Sequence, residues 1–189
     1  LNMDTVKTTH SLLITGEEAI SFLESLISID PVNEKFMTSF LLKPDGKVAH
    51  WFIVQKTGED FYIFQSKEEL VNIKESLEFY KIRTKCTLEI KKDERSLLLD
   101  IKNDGFEFFE KVDIDKFISW RQLSVILELP LPEITAKGLL PNETKWLNFM
   151  VDFNKGCFLG QEQASRVKFR GRPRRLLKSN EDSQEFVKI

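Results

Sequence analysis

The spacing of apolar residues switches between helical and strand periods along the chain, and the switches mark its elements. Ala19, Ile20, Phe22, Leu23, Leu26 and Ile27 recur at helical intervals behind Thr15-Gly16-Glu17-Glu18. This predicts an amphipathic helix capped by Thr15 or Gly16, with acids in its first turn. Residues 36–42 and 47–55 are extended runs around Lys43-Pro44-Asp45-Gly46. Its proline fixes φ and its glycine frees it, so the two runs predict a hairpin. Residues 61–64 predict a strand, and Leu70, Ile73, Leu77 and Tyr80 share one face of a following helix. Residues 87–90, 96–101 and 106–109 predict further strands, the last two joined by the turn Asn103-Asp104-Gly105. Pro130, Pro132, Gly138 and Pro141 interrupt both periods and read as an ordered connection. Gln161-Glu162-Gln163-Ala164-Ser165-Arg166-Val167 then opens a last helix with an acid.

Helices and antiparallel strands interleaved without a repeat predict an α+β fold containing a split β-α-β, ferredoxin-like element rather than a doubly wound sheet. With 189 residues, 41% of them hydrophobic and 16 of them Phe, the chain can bury one compact unit, or two small ones sharing a core. Charge adds little direction: 28 Lys and Arg against 30 Asp and Glu favour neither nucleic acid nor an anionic membrane. No stretch reaches the roughly 18 apolar residues of a membrane span, and residues 1–10 lack the apolar core of a signal peptide. The expectation is a cytoplasmic protein, with Met3 an alternative first residue. Two cysteines and two histidines are too few for a four-ligand zinc or iron–sulfur site within one chain, so no resident metal is expected.

The chemistry concentrates in Lys155-Gly156-Cys157-Phe158-Leu159-Gly160-Gln161-Glu162. Two glycines bracket a cysteine just before a helix, where exposed backbone N–H groups and Lys155 favour a thiolate, nucleophilic or metal-seeking. Taken alone, such a turn is a structural corner around a small hydrophobe. The eight residues together, however, resemble the signature of the YgfZ-type folate-binding proteins, relatives of the glycine-cleavage T-protein. The resemblance extends to Ile14-Thr15-Gly16-Glu17-Glu18-Ala19 with Phe22-Leu23, to the hairpin at residues 41–48 and to Tyr80-Lys81-Ile82-Arg83.

That resemblance implies a T-protein/YgfZ-like folate-binding region over residues 1–167, followed by a basic tail, 168–189, where relatives enter a small β-barrel. It implies Cys157 and Lys155 as the reactive pair. Glu143, in Leu140-Pro141-Asn142-Glu143, is implied as the acid that holds a pterin, because a carboxylate can accept two parallel hydrogen bonds from the pyrimidine edge. Gly156, Gln161, Glu162 and Arg166 complete the implied folate-binding set, with tetrahydrofolate as cofactor. Where the family has Arg-x-x-x-Gly-x-Pro, this chain has Ser124 and Glu128 before Pro130. The implied function is a tetrahydrofolate-binding accessory factor for assembly or repair of iron–sulfur proteins, with those proteins as partners and an indirect effect on tRNA modification. Two alternatives stay open: a tetrahydrofolate-dependent aminomethyl transferase, and a degenerate interaction module that binds no folate. Lys168, Arg170, Arg172, Arg174, Arg175 and Lys178, with Phe169, could attract RNA. Direct nucleic-acid binding is nevertheless disfavoured, because basic residues are common at this point of the family.

Overall fold

The computed structural model describes residues 4–189, so Met3 lies outside the described residues. In chain order the elements are β1 (Thr5–Lys7), β2 (His10–Thr15), α1 (Ala19–Glu24), β3 (Phe36–Leu42), β4 (Val48–Thr57), β5 (Asp60–Phe64) and α2 (Lys67–Phe79). They continue with β6 (Thr87–Lys92), β7 (Ser96–Ile101), β8 (Phe106–Glu110), α3 (Trp120–Leu127), α4 (Pro132–Thr135) and α5 (Leu147–Met150). The chain closes with α6 (Gln161–Phe169), β9 (Arg175–Ser179) and β10 (Gln184–Lys188). Eight strands form one antiparallel sheet in the order β1-β7-β8-β3-β4-β5-β2-β6, and β9 pairs with β10 apart from it. The fold is α+β. Both β5 and β6 run antiparallel to β2, one on each side of it, and α2 connects them.

The sheet separates two cores, and β4 belongs to both. Trp51 and Ile53 face a core built with α3, α5 and α6; Phe52 and Val54 face one built with α1 and α2. Burial on both faces explains why residues 51–54 are apolar without alternation. α2 starts where Ser66 accepts a hydrogen bond from the Glu69 N–H, and α3 where Ser119 and Gln122 cap one another. No helix among the described residues is long and apolar enough to cross a membrane.

Two local expectations are corrected. α1 does not begin at a Thr15 or Gly16 cap: it starts after Glu18, which makes no side-chain cap bond, and the acids precede the helix. The Glu18 carboxylate instead accepts from the backbone N–H of Lys85, tying α1 to the approach to β6. Gly16 sits at φ +123°, and a side chain there would also meet the Lys85 carbonyl at 2.6 Å, so both backbone and space call for glycine. Residues 168–189, read as a tail, are also built into the fold. They finish α6 and form the β9–β10 hairpin, whose Leu177 is buried. Gln184 fastens that hairpin. Its amide accepts from the Leu131 N–H at 2.9 Å and donates to the carbonyls of Leu129 at 2.7 Å and Ser124 at 3.3 Å.

The β3–β4 turn packs on the start of α6. Gly160 is the left-handed residue that begins α6, at φ +79°, and a Cβ there would lie 2.6 Å from the Lys43 carbonyl and 2.8 Å from the Leu42 side chain. Across the same contact, a Cβ on Gly46 would lie 2.6 Å from Gln163. Gly160→Ala therefore meets both backbone strain and overpacking and is expected to cost about 3 kcal/mol. Gly58→Ala, at φ +63° with open space around it, should cost about 1 kcal/mol. Urea denaturation midpoints of the two variants would check the ranking, and equal losses would contradict the packing argument.

Candidate functional site

The segment between α5 and α6 carries the cysteine, and most of it is fastened to the turn after α1. The Lys155 ammonium donates to the carbonyls of Glu24 and Ile27 at 2.9 Å and of Ile29 at 3.0 Å. These groups lie at and beyond the C-terminal end of α1, where carbonyls lack helical partners and a cation is favoured. Burial pulls the lysine pKa below its ordinary value, opposed by Asp30, Glu24 and Asp152. Leu159 N–H donates to the Ser25 carbonyl, Asp152 N–H to the Ser28 carbonyl, and the Ser28 hydroxyl to the Met150 carbonyl at 2.6 Å. Phe158 is buried, and the Lys155 ammonium sits 5.2 Å from the centre of its ring.

What this clamp leaves outside is Gly156 and Cys157. Cys157 is a free, exposed thiol, whereas Cys86 is buried, which raises its pKa. Nothing lies within 4 Å of the position a Gly156 Cβ would take, so no contact within the chain requires glycine there. Sequence reasoning placed Lys155 as the charged neighbour of the thiol. The structure gives each of its three N–H donors a backbone carbonyl, so the lysine holds the loop that carries the thiol.

Of the residues implied for folate, Gln161, Glu162 and Arg166 line one open depression on α6, which neither Glu143 nor Gly156 joins. Glu162 and Arg166 pair with each other at 2.7 Å on the exposed side of α6, and Gln161 is half-buried in its first turn. Glu143 is buried in the 3-10 turn Pro141–Glu143. One of its oxygens accepts from the Leu140 N–H at 2.9 Å, and the other accepts from the Arg175 guanidinium. Arg175 also donates to the Gly138 carbonyl at 3.0 Å and stacks 3.6 Å from the centre of the Phe186 ring. Both carboxylate oxygens of Glu143 thus have partners within the chain, one of them from the segment read as a tail.

A groove that sequence reasoning did not find lies between β4, α2 and the segment running from α3 to α4. Its narrow end, about 200 Å³, is lined by Trp51, Trp120, His50, Glu69, Arg121 and Ser124. It shares His50, Glu69 and Pro132 with a wider end of about 640 Å³, bounded by Leu42, Lys43 and Tyr80. The two tryptophans form a tilted pair with centroids 6.3 Å apart. His50 bridges the floor, with Nδ1 3.2 Å from Glu69 Oε2 and Nε2 3.1 Å from the Ser76 hydroxyl. The hydrogen bond from His50, aided by Asn72, holds the Glu69 carboxyl below its ordinary pKa. Glu69 and Ser76 stand seven apart on one face of α2, but only strand pairing brings His50 to them.

One of the two departures from the family pattern, Ser124, falls at this groove, and the other, Glu128, ends the helix beside it as a left-handed residue at φ +53°. Glycine adopts that conformation without strain, which is the physical reason for a glycine at this position. Glu128 instead places its carboxylate 3.6 Å from Lys145 and 3.9 Å from Lys178.

Because Lys155 satisfies three carbonyls at once, Lys155→Met is expected to destabilise the fold by about 2 kcal/mol, measured by urea denaturation. A loss indistinguishable from zero would mean that water replaces the ammonium and that the clamp is dispensable.

No protein-family model matches the chain. Among curated proteins, it is 22% identical over 210 residues to an iron–sulfur cluster assembly factor IBA57 homolog, mitochondrial, of Pyricularia oryzae. The match covers 88% of this chain and 54% of that protein, so the chain spans about half the length of the curated relative it matches. Among solved structures, the glycine cleavage system aminomethyltransferase T of Bartonella henselae superposes with a TM-score of 0.66 at 14% identity. That superposition covers 93% of this chain and 65% of the transferase. The chain has a YgfZ/T-protein-like fold.

Proposed function

We propose that this protein is an accessory factor for iron–sulfur protein assembly or repair, which presents Cys157 to a cluster carried by a partner and binds tetrahydrofolate in the β4–α2 groove. The observation that carries the reading is the exposed, free thiol on a loop that Lys155, Phe158 and Leu159 hold in place. One thiolate can ligate a cluster transiently but cannot hold it alone, so the partner supplies the remaining ligands. The iron–sulfur assembly role named for the fungal relative agrees with this chemistry. The open space at Gly156 lets a partner's backbone or a cluster sulfide approach beside the thiol. An effect on tRNA modification follows indirectly, through thiolating enzymes that depend on clusters. The compartment is a reducing one, cytoplasm or mitochondrial matrix, where an exposed thiol stays reduced.

The groove fits a reduced pterin. Trp51 and Trp120 provide aromatic walls, and Glu69, whose two oxygens meet His50 and Asn72, keeps a second lone pair on each for the N–H groups of the pterin edge. On this reading Glu69 meets the pterin, while Glu143 acts by fixing Arg175 and the wall behind the groove.

Cys157→Ala is expected to leave the melting temperature unchanged and to abolish support of cluster-dependent enzymes in cells lacking the native protein. Full rescue by the variant would remove the thiol from the mechanism. In calorimetry, tetrahydrofolate should bind in the micromolar range, and Glu69→Gln should weaken it by about 1.5 kcal/mol at a small loss of stability, because the ionised carboxylate also holds His50. Glu143→Gln should lower stability first. If Glu143→Gln abolishes binding at unchanged stability, the direct pterin contact belongs to Glu143 instead.

A further inference from the structure

Arg121 is the cation that lines the narrow, tryptophan-walled end of the groove, while Lys43 bounds the wide end. It sits in the first turn of α3, directly after Trp120, which places its guanidinium at the rim of the aromatic wall. Its Nη2 donates to Glu133 Oε1 at 2.7 Å and to the Asp182 carbonyl at 3.4 Å. Glu133 belongs to the first turn of α4 and Asp182 to the turn between β9 and β10, so the guanidinium is oriented from two sides. The hydrogen bond from Arg121 also keeps the Glu133 carboxyl below its ordinary pKa, which leaves it ionised at neutral pH.

This arrangement uses only one corner of the guanidinium. Nε and Nη1 donate to nothing among the described residues, although guanidinium carries five N–H donors. Ser124, one turn further along α3, lines the same groove with a small side chain and leaves space at the wall. A positioned cation with unused donors, next to an aromatic slot, matches a ligand that joins a flat ring to a carboxylate.

Resting on the folate reading above, we infer that Arg121 is a specificity residue that anchors the anionic tail of the bound folate, oriented and partly neutralised by Glu133. The pterin end then lies toward Glu69 and His50, and the tail leaves the groove past Trp120. Glu133 has two opposed effects: it fixes the guanidinium, and its own charge weakens the attraction for a ligand carboxylate.

The test is calorimetry on the full chain with two probes, tetrahydrofolate and tetrahydrobiopterin, which shares the reduced pterin but has no anionic tail. Arg121→Ala is expected to weaken tetrahydrofolate about tenfold or more and to leave tetrahydrobiopterin within about twofold, as the loss of a charge-assisted hydrogen bond would do. Glu133→Gln keeps an acceptor for Arg121 and removes the charge, so it should tighten tetrahydrofolate about two- to fivefold and leave tetrahydrobiopterin unchanged. The inference is overturned if Arg121→Ala weakens both probes equally, or leaves tetrahydrofolate within twofold while the protein binds it. If the unsubstituted protein binds neither probe, the folate reading itself falls and this inference falls with it.

Discussion

Burial of β4 on both faces is the constraint from which the rest of the architecture follows. A strand whose successive side chains enter two different cores cannot slip by one residue without exchanging them, so its register is fixed by Trp51 and Ile53 on one side and Phe52 and Val54 on the other. That register determines where the β3–β4 turn emerges, and the turn is the surface on which Gly160 and Gln163 settle. It also sets His50 opposite α2, which makes the polar floor of the groove a consequence of strand pairing.

The eight-residue signature is mostly scaffold. Lys155 closes the end of α1, Phe158 enters the core, Gly160 permits a backbone contact, and Glu162 pairs with Arg166 along its own helix. Only Gly156 and Cys157 remain turned to solvent without a structural task. This division explains how a long motif can attend a single thiol: the surrounding residues maintain one position of the chain relative to α1 and the β3–β4 turn.

Elements governed by local chemistry were legible in the sequence. The Pro-Asp-Gly turn, the α2 stripe of Leu70, Ile73 and Leu77, and the strands flanking Asn103-Asp104-Gly105 all appear where periodicity and turn residues put them. What was not legible depends on partners distant in the chain. The start of α1 is decided by Lys85, whose carbonyl meets Gly16 and whose N–H takes the Glu18 carboxylate. The partner of Glu143 is Arg175, 32 positions later, inside a segment whose composition suggested a solvated tail. The groove was hidden for the same reason. Its Trp51, Trp120, His50 and Glu69 come from β4, α2 and α3 and meet only through strand pairing and helix packing.

The Gln184 amide links the far end of the fold to this groove. Its partners Ser124, Leu129 and Leu131 lie 53 to 60 residues earlier, in the segment that forms the groove wall. During synthesis the sheet and most of both faces of β4 can assemble before that glutamine has emerged, whereas the Leu131 N–H and the Leu129 carbonyl of the wall still lack this partner. The groove wall is therefore among the last parts of the molecule to reach its final shape, because a long loop must close before those hydrogen bonds exist. A nascent chain can accordingly bury most of its cores well before the groove has its final wall.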